Sequence, residues 1–113
     1  QNLSACTGVV NFNKRLYQIP YRDIVYMESR RRVIHLVGKN GEEYRFYKKM
    51  KDLLEEISHT GNMFIRVHCS YVVNYYYIKS LSSTEVELLT GEKLPVSGEY
   101  KNEALKKFMG MME

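Results

Sequence analysis

The chain has 113 residues, 44% of them hydrophobic and 27% charged, with a formal net charge of +4. That length corresponds to one domain able to bury a core without disulfide or metal staples, and no apolar run approaches the ~20 residues of a transmembrane helix. The basic balance permits an anionic partner such as nucleic acid without establishing one.

Taken in chain order, Val9, Val10 and Phe12 predict a strand that ends at the turn signal Asn13-Lys14. Leu16, Tyr17 and Ile19 lead to Pro20, which ends or edges a second strand. Ile24 to Met27 are β-rich and nearly all apolar, as in a strand covered on both faces. Val33 to Val37 predict the next strand. Asn40-Gly41 predicts a hairpin turn, because both residues tolerate positive φ, and Tyr44, Phe46 and Tyr47 form the return. A helix is expected from about Lys49 to His59. Met50, Leu53, Leu54 and Ile57 recur there at the spacing of one buried face, with Lys51, Asp52, Glu55 and Glu56 opposite. Gly61 stands where a left-handed C-terminal cap belongs. Phe64 to Val67 return to strand. Tyr77 to Leu81, Val86 to Leu89 and Lys93 to Val96 predict three short strands, the last two joined at Thr90-Gly91. Ser97 is a plausible N-cap and Glu99 suits the positive end of the final helix, whose apolar stripe is Tyr100, Ala104, Leu105 and Phe108. The fold class is therefore mainly β with two helices, one amphipathic and mid-chain, the other C-terminal. No internal repeat or low-complexity linker divides residues 1–113, which are read as a single domain.

Several residues invite a functional reading. Arg30, Arg31 and Arg32 fall between two strands at a hairpin tip. Three adjacent cations repel one another unless they are solvated or meet an anion. On composition alone a solvated turn is the better reading; the functional one is a loop that contacts phosphates and enters a groove, a task suited to the guanidinium fork. The run FIRVHCSYVVN, Phe64 to Asn74, sets Arg66, His68, Ser70 and Asn74 among apolar residues. Buried strands rarely carry so many polar side chains. His68 and Cys69 suggest a nucleophile and its base, but neighbours on an extended strand point to opposite faces and no acid is spaced to orient His68. Nothing resembles two clustered pairs of metal ligands. An enzyme is rejected on these grounds, and no metal or cofactor is expected. The plain reading of His68 is a structural histidine satisfied by backbone. Strict alternation groups Cys69 with Ile65 and Val67, facing inward. Ten tyrosines, Tyr75 to Tyr77 among them, are read as packing residues in preference to a stacking platform for single strands. Met109, Met111 and Met112 are read as packing or a frayed end. Cys6 and Cys69 imply no disulfide framework and no secretory leader is visible, so a cytoplasmic location is expected. Gln1 is not an initiator residue, so a fragment of a longer protein is expected.

Three separated motifs in order, YRDIVYMES from Tyr21, FIRVHCSYVVN from Phe64 and KLPVS from Lys93, resemble the LytTR DNA-binding domain of bacterial transcription regulators. The resemblance runs from about Val9 to Met109. It implies a fold of small antiparallel sheets and a double-stranded DNA partner, bound by loops that enter successive major grooves. It makes Arg30, Arg31 or both the base readers; Arg32, directly before the next strand, has pairing with Glu28 as its alternative role. His68 and Ser70 are implied to donate to phosphate oxygens. Cys69 is implied to face DNA at a position where the family often carries Arg, Lys or Asn, against the inward reading from alternation. Asn74 is read as locking the turn through backbone hydrogen bonds in preference to touching DNA. Ser97 and the helix start would hold a phosphate, with Lys101 reaching the backbone and Lys79 a further contact. Gly98 stands where the family often has Arg or Lys. The resemblance further implies a preceding receiver domain, phosphorylated by a sensor kinase, and a possible dimer on DNA. The departures at Cys69 and Gly98 support an alternative, a protein-interaction module that keeps the fold with weak or non-specific DNA binding.

Overall fold

Two tight hairpins and a short helix build the first of two units into which the chain divides, residues 1–60; residues 61–113 form the second. The computed structural model describes residues 7–111, so Cys6 and Met112 lie outside the described residues.

In the first unit, β1 (Thr7–Phe12) and β2 (Arg15–Pro20) pair antiparallel, with Phe12 opposite Arg15. The connection is the predicted Asn13-Lys14, both with positive φ, 52° and 62°. Two consecutive left-handed residues give a hairpin turn whose twist matches that of the strands. Val10 and Ile19 are buried, while Val9 and Leu16 are exposed. A single 3-10 turn, Tyr21–Asp23, leads into an antiparallel meander of β3 (Ile24–Arg30), β4 (Val33–Gly38) and β5 (Glu43–Tyr47), with β4 in the middle. Ile24 and Val25 are both buried, because a bulge between Ile24 and Tyr26 interrupts the alternation. Further along, the alternation is regular. Met27, Ile34 and Leu36 are buried. Glu28, Arg30, Val33, His35, Glu43, Arg45 and Tyr47 share the opposite, open face, as the register Glu28–His35–Arg45 and Arg30–Val33–Tyr47 requires. The expectation of a strand covered on both faces therefore holds only at the start of β3.

The β4–β5 connection differs from the two-residue turn expected at Asn40-Gly41. Gly41 alone has positive φ, 86°. Its N–H donates to Gly38 O at 3.0 Å, and Gly38 N–H donates to Glu42 O at 2.8 Å. A turn followed by one left-handed glycine closes this longer loop, so Asn40 needs no positive φ. Helix α1 (Met50–Glu56) buries Leu53, with Ile57 buried just beyond its end. The expected continuation to His59 tightens into a 3-10 turn at Ser58–Thr60. There the hydroxyls of Ser58 and Thr60 bond the carbonyls of Glu55 and Ile57, both at 2.7 Å, competing with a further α-turn. Gly61, at φ 70°, adopts the left-handed conformation predicted for it.

The second unit opens with the hairpin of β6 (Phe64–His68) and β7 (Tyr71–Asn74). Ile65, Val67, Val72 and Val73 are fully buried. A 3-10 turn at Tyr75–Tyr77 leads to β8 (Ile78–Leu81), β9 (Glu85–Leu88) and β10 (Lys93–Pro95), an antiparallel sheet with β9 central and Gly91 (φ 102°) in its second turn. Helix α2 (Lys101–Met111) packs on β6, burying Ala104 and setting the Phe108 ring 5.4 Å from that of Tyr75. The architecture is thus mainly β, in small antiparallel sheets, with two helices. None of the helices among the described residues is long and apolar enough to cross a membrane.

Candidate nucleic-acid interface

The β3–β4 hairpin turns at Arg31 and Arg32, both left-handed, with φ 50° and 68°. Asparagine and glycine are the ordinary occupants of such a turn, and for other L-residues the conformation costs roughly 1–2 kcal/mol each. Both arginines are exposed, and among the described residues neither is ion-paired with a carboxylate. Arg30 is different: its Nε lies 3.1 Å from Glu28 Oε2. The pairing considered for Arg32 with Glu28 is therefore corrected. Glu28 and Arg30 are two residues apart on one strand and share a face, while Arg32 sits in the turn, its carbonyl accepting from Lys48 N–H at 3.0 Å. Beside the tip, Arg30, Arg31, Val33, His35 and Arg45 line a shallow depression on the open face of the meander. His35 Nδ1 lies 2.8 Å from Glu43 Oε2. This hydrogen bond holds the Glu43 carboxyl below the usual carboxylate range despite partial desolvation, helped by the charges of His35, Arg45 and Arg30.

The β6–β7 turn is built in another way. Strand β6 ends at His68, after a register shift between Arg66 and His68, and Cys69 and Ser70 form the turn. Cys69 is exposed. The inward position expected from alternation is overturned, because the bulge and the end of the strand break the period before Cys69 is reached. Half-buried Arg66 donates from Nη2 to Cys69 O at 2.9 Å and reaches His68 O from Nε at 3.4 Å. Its guanidinium lies 4.5 Å from the centroid of the Tyr100 ring. The turn is thus clamped by an arginine that is itself seated on α2's approach.

Ser70 N–H donates to His68 Nδ1 at 3.1 Å. A backbone N–H is always the donor, so Nδ1 accepts and the ring proton sits on Nε2. Cys69 Sγ lies 3.6 Å from the same Nδ1 and 3.8 Å from Ser70 Oγ. His68 and Cys69 do not point to opposite faces as neighbours on a strand would, since Cys69 lies in the turn beyond β6. Nδ1 is nevertheless occupied by the amide of Ser70. Among the described residues no group of three His, Cys, Asp or Glu is placed to hold a metal ion. Asn74 is fully buried, and its Oδ1 accepts from Tyr76 N–H at 3.0 Å, fixing the turn that follows β7.

The start of α2 is tied to the same hairpin, with Ser97 N–H donating to Val67 O at 2.9 Å. The Ser97 carbonyl accepts from Tyr100 and Lys101 N–H at 3.1 and 3.0 Å, so Ser97 is the backbone start of the helix. Its side chain is not the expected cap: Oγ is buried and makes no hydrogen bond among the described residues. Gly98 is exposed, has an ordinary backbone φ, and a Cβ built there meets nothing within 4 Å. Lys101 is half-buried in the first helical turn. Lys79, on β8, is exposed, with Nζ 3.8 Å from Glu87 Oε2. The second unit therefore joins His68, Cys69 and Ser70 to Ser97 and the helix start through the bonds of Arg66 and Ser97. Lys79 stands on a separate sheet, and the arginine tip belongs to the other unit.

Two residues escaped the sequence reading. Arg66 was visible only as a polar residue in an apolar run, and its clamp depends on Tyr100, far along the chain. Arg45 was legible in principle, since alternation across β4 and β5 sets it opposite His35.

A family model described as the LytTr DNA-binding domain matches residues 14–109. Among solved structures, the chain is similar to the LytTr DNA-binding domain of a Bacillus cereus protein described as a methyl-accepting/DNA response regulator. The identity is 20%, the match covers 93% of this chain and 97% of that one, and the TM-score is 0.77, a likeness of fold. Among curated proteins no sequence matches. The matched residues take in the arginine tip, the clamped turn and the start of α2, and the chain belongs to the LytTR family of DNA-binding domains.

Proposed function

We propose that this chain is the sequence-specific, duplex-binding effector domain of a cytoplasmic two-component transcription regulator, the C-terminal piece of a longer protein whose receiver domain answers to a sensor kinase. Loops enter major grooves. Phosphate contacts supply most of the affinity, and Arg31, with Arg30 beside it, does most of the base reading. The observation that carries this reading is the β3–β4 tip, where two exposed arginines are held in a costly left-handed turn without carboxylate partners. The left-handed φ serves the hairpin itself, as at Asn13-Lys14; what the tip adds is a pair of exposed guanidinium groups with no carboxylate at ion-pair distance among the described residues. Around the second turn, His68 Nε2–H, the Ser70 hydroxyl and the amides at the start of α2 are donors of the kind that grip phosphate oxygens. Lys101 and Lys79 add charge at longer reach.

A second reading has its own observation. Exposed Cys69 offers only a weak donor and Gly98 no side chain, which suits a protein-interaction module with poor base discrimination. A salt titration of duplex binding by the isolated chain, on its own promoters and on random sequence, separates the two. With about five phosphates contacted, log K falls against log salt with a slope of roughly −4 to −5, and promoter sites are favoured. Equal, shallow binding to every duplex favours the second reading; undetectable binding at low salt overturns the first.

A further inference from the structure

The open face of the β3–β4–β5 meander carries more charge than the tip alone requires. In register across the three strands stand Glu28, His35 and Arg45, and one pair further toward the turn Arg30, Val33 and Tyr47. The two carboxylates of this face are engaged within it, Glu28 with Arg30 and Glu43 with His35. Arg31 and Arg45 are left with no carboxylate at ion-pair distance among the described residues. The Arg45 guanidinium lies 5.9 Å from the centroid of the Phe12 ring. With Arg30, Arg31, Val33 and His35 it lines one continuous depression.

Building on the DNA-binding reading above, we infer that this face is a phosphate track and that Arg45 is a sequence-independent contact to the DNA backbone. The tip would enter the groove while Arg45 holds a phosphodiester of the strand bordering it. Four features favour DNA phosphate over another occupant. The face keeps an excess of guanidinium charge after its internal pairs are counted. The lining is open and shallow, as the backbone of a stiff duplex, too wide for a closed pocket, requires. The depression runs without a break into the arginine tip. Of its five lining residues three are arginines and one is a histidine, with half-buried Val33 the one apolar residue among them.

The test uses the whole chain. Arg45→Ala should reduce the salt slope of duplex binding by about one unit, and weaken promoter and random duplexes equally, by about three- to tenfold near physiological salt. Arg45→Glu should weaken both further. Lys51→Ala, on the exposed side of α1, should leave the slope unchanged, and thermal melting of each variant checks that the fold is kept. An unchanged slope for Arg45→Ala, while Arg31→Ala still loses binding, overturns the track and leaves the effector reading standing. If Arg45→Ala instead spares DNA and abolishes binding of poly-glutamate, the face belongs to an acidic protein partner and the inference fails. If the unsubstituted chain binds no duplex, both readings fall.

Discussion

The β3–β4 tip and the β6–β7 turn are both short, exposed hairpin ends rich in polar residues, yet they use arginine in opposite ways. At the first, Arg31 and Arg32 accept an unfavourable backbone, and among the described residues no carboxylate pairs with their guanidinium groups. At the second, half-buried Arg66 directs its Nε and Nη2 N–H groups to the carbonyls of His68 and Cys69. One arginine site is strained and available, the other satisfied and structural. Charge in a sequence therefore does not mark a ligand contact by itself. What separates the two sites is the fate of the donors: those bonded to their own chain set geometry, and those left over are free to meet an anion.

The largest test of that contrast is at the clamp. Arg66→Ala removes two charge-assisted hydrogen bonds and the packing on Tyr100, and should cost about 2–3 kcal/mol of stability in chemical denaturation. Arg66→Lys should recover little, since a point charge cannot span two carbonyls and stack on a ring. A loss below ~0.5 kcal/mol for Arg66→Ala would erase the distinction between the turns.

At the tip the signs should reverse. Arg31→Ala should cost ~1–3 kcal/mol of binding on the best site and flatten base preference at one cluster of positions, with the fold intact. Arg32→Gly relieves a left-handed arginine and should stabilise the chain by about 1 kcal/mol, read as a rise in the denaturation midpoint. If Arg31→Ala weakens every duplex alike, the tip holds phosphate and reads nothing.

The smallest stability effects are expected where the structure leaves room. Cys69→Arg adds a guanidinium at an exposed turn, and Gly98→Arg adds one in open space. Each should shift stability by no more than ~1 kcal/mol, Gly98→Arg upward, and steepen the salt slope of binding by about one unit. A drop of several kcal/mol for Cys69→Arg would mean that the thiol is buried after all.

Local rules predicted what local physics decides. The turn at Asn13-Lys14, the buried face of α1 and the glycine after its end were all legible, because spacing and turn chemistry act within a few residues. The strand alternation located the meander but could not show where it stops. A bulge between Arg66 and His68 moved Cys69 from the core to the surface, and no residue in the run announces a bulge. The Ser97 cap failed for a related reason. Its residue type and place were right, but the Val67 carbonyl anchors its amide and its buried Oγ makes no cap bond. At the candidate site the residue types were readable from the sequence, whereas the clamp and the pairing of Glu28 were not, because both depend on which side chains meet.

Gly98 carries a consequence for how such a domain changes its target. Most gains of function are bought with stability, since new side chains crowd or unpair something already in place. At Gly98 nothing within 4 Å would be crowded, and the backbone is one that any L-residue accepts. Replacing a glycine at such a position also removes unfolded-state entropy, about 0.4–1 kcal/mol in favour of the fold. On the proposed DNA-binding reading, with the start of α2 facing the duplex, the first step toward a new operator is therefore downhill in stability terms. A single codon change there could retune recognition in either direction without a compensating mutation elsewhere, and libraries randomised at this one position should recover altered binding at unusually high frequency.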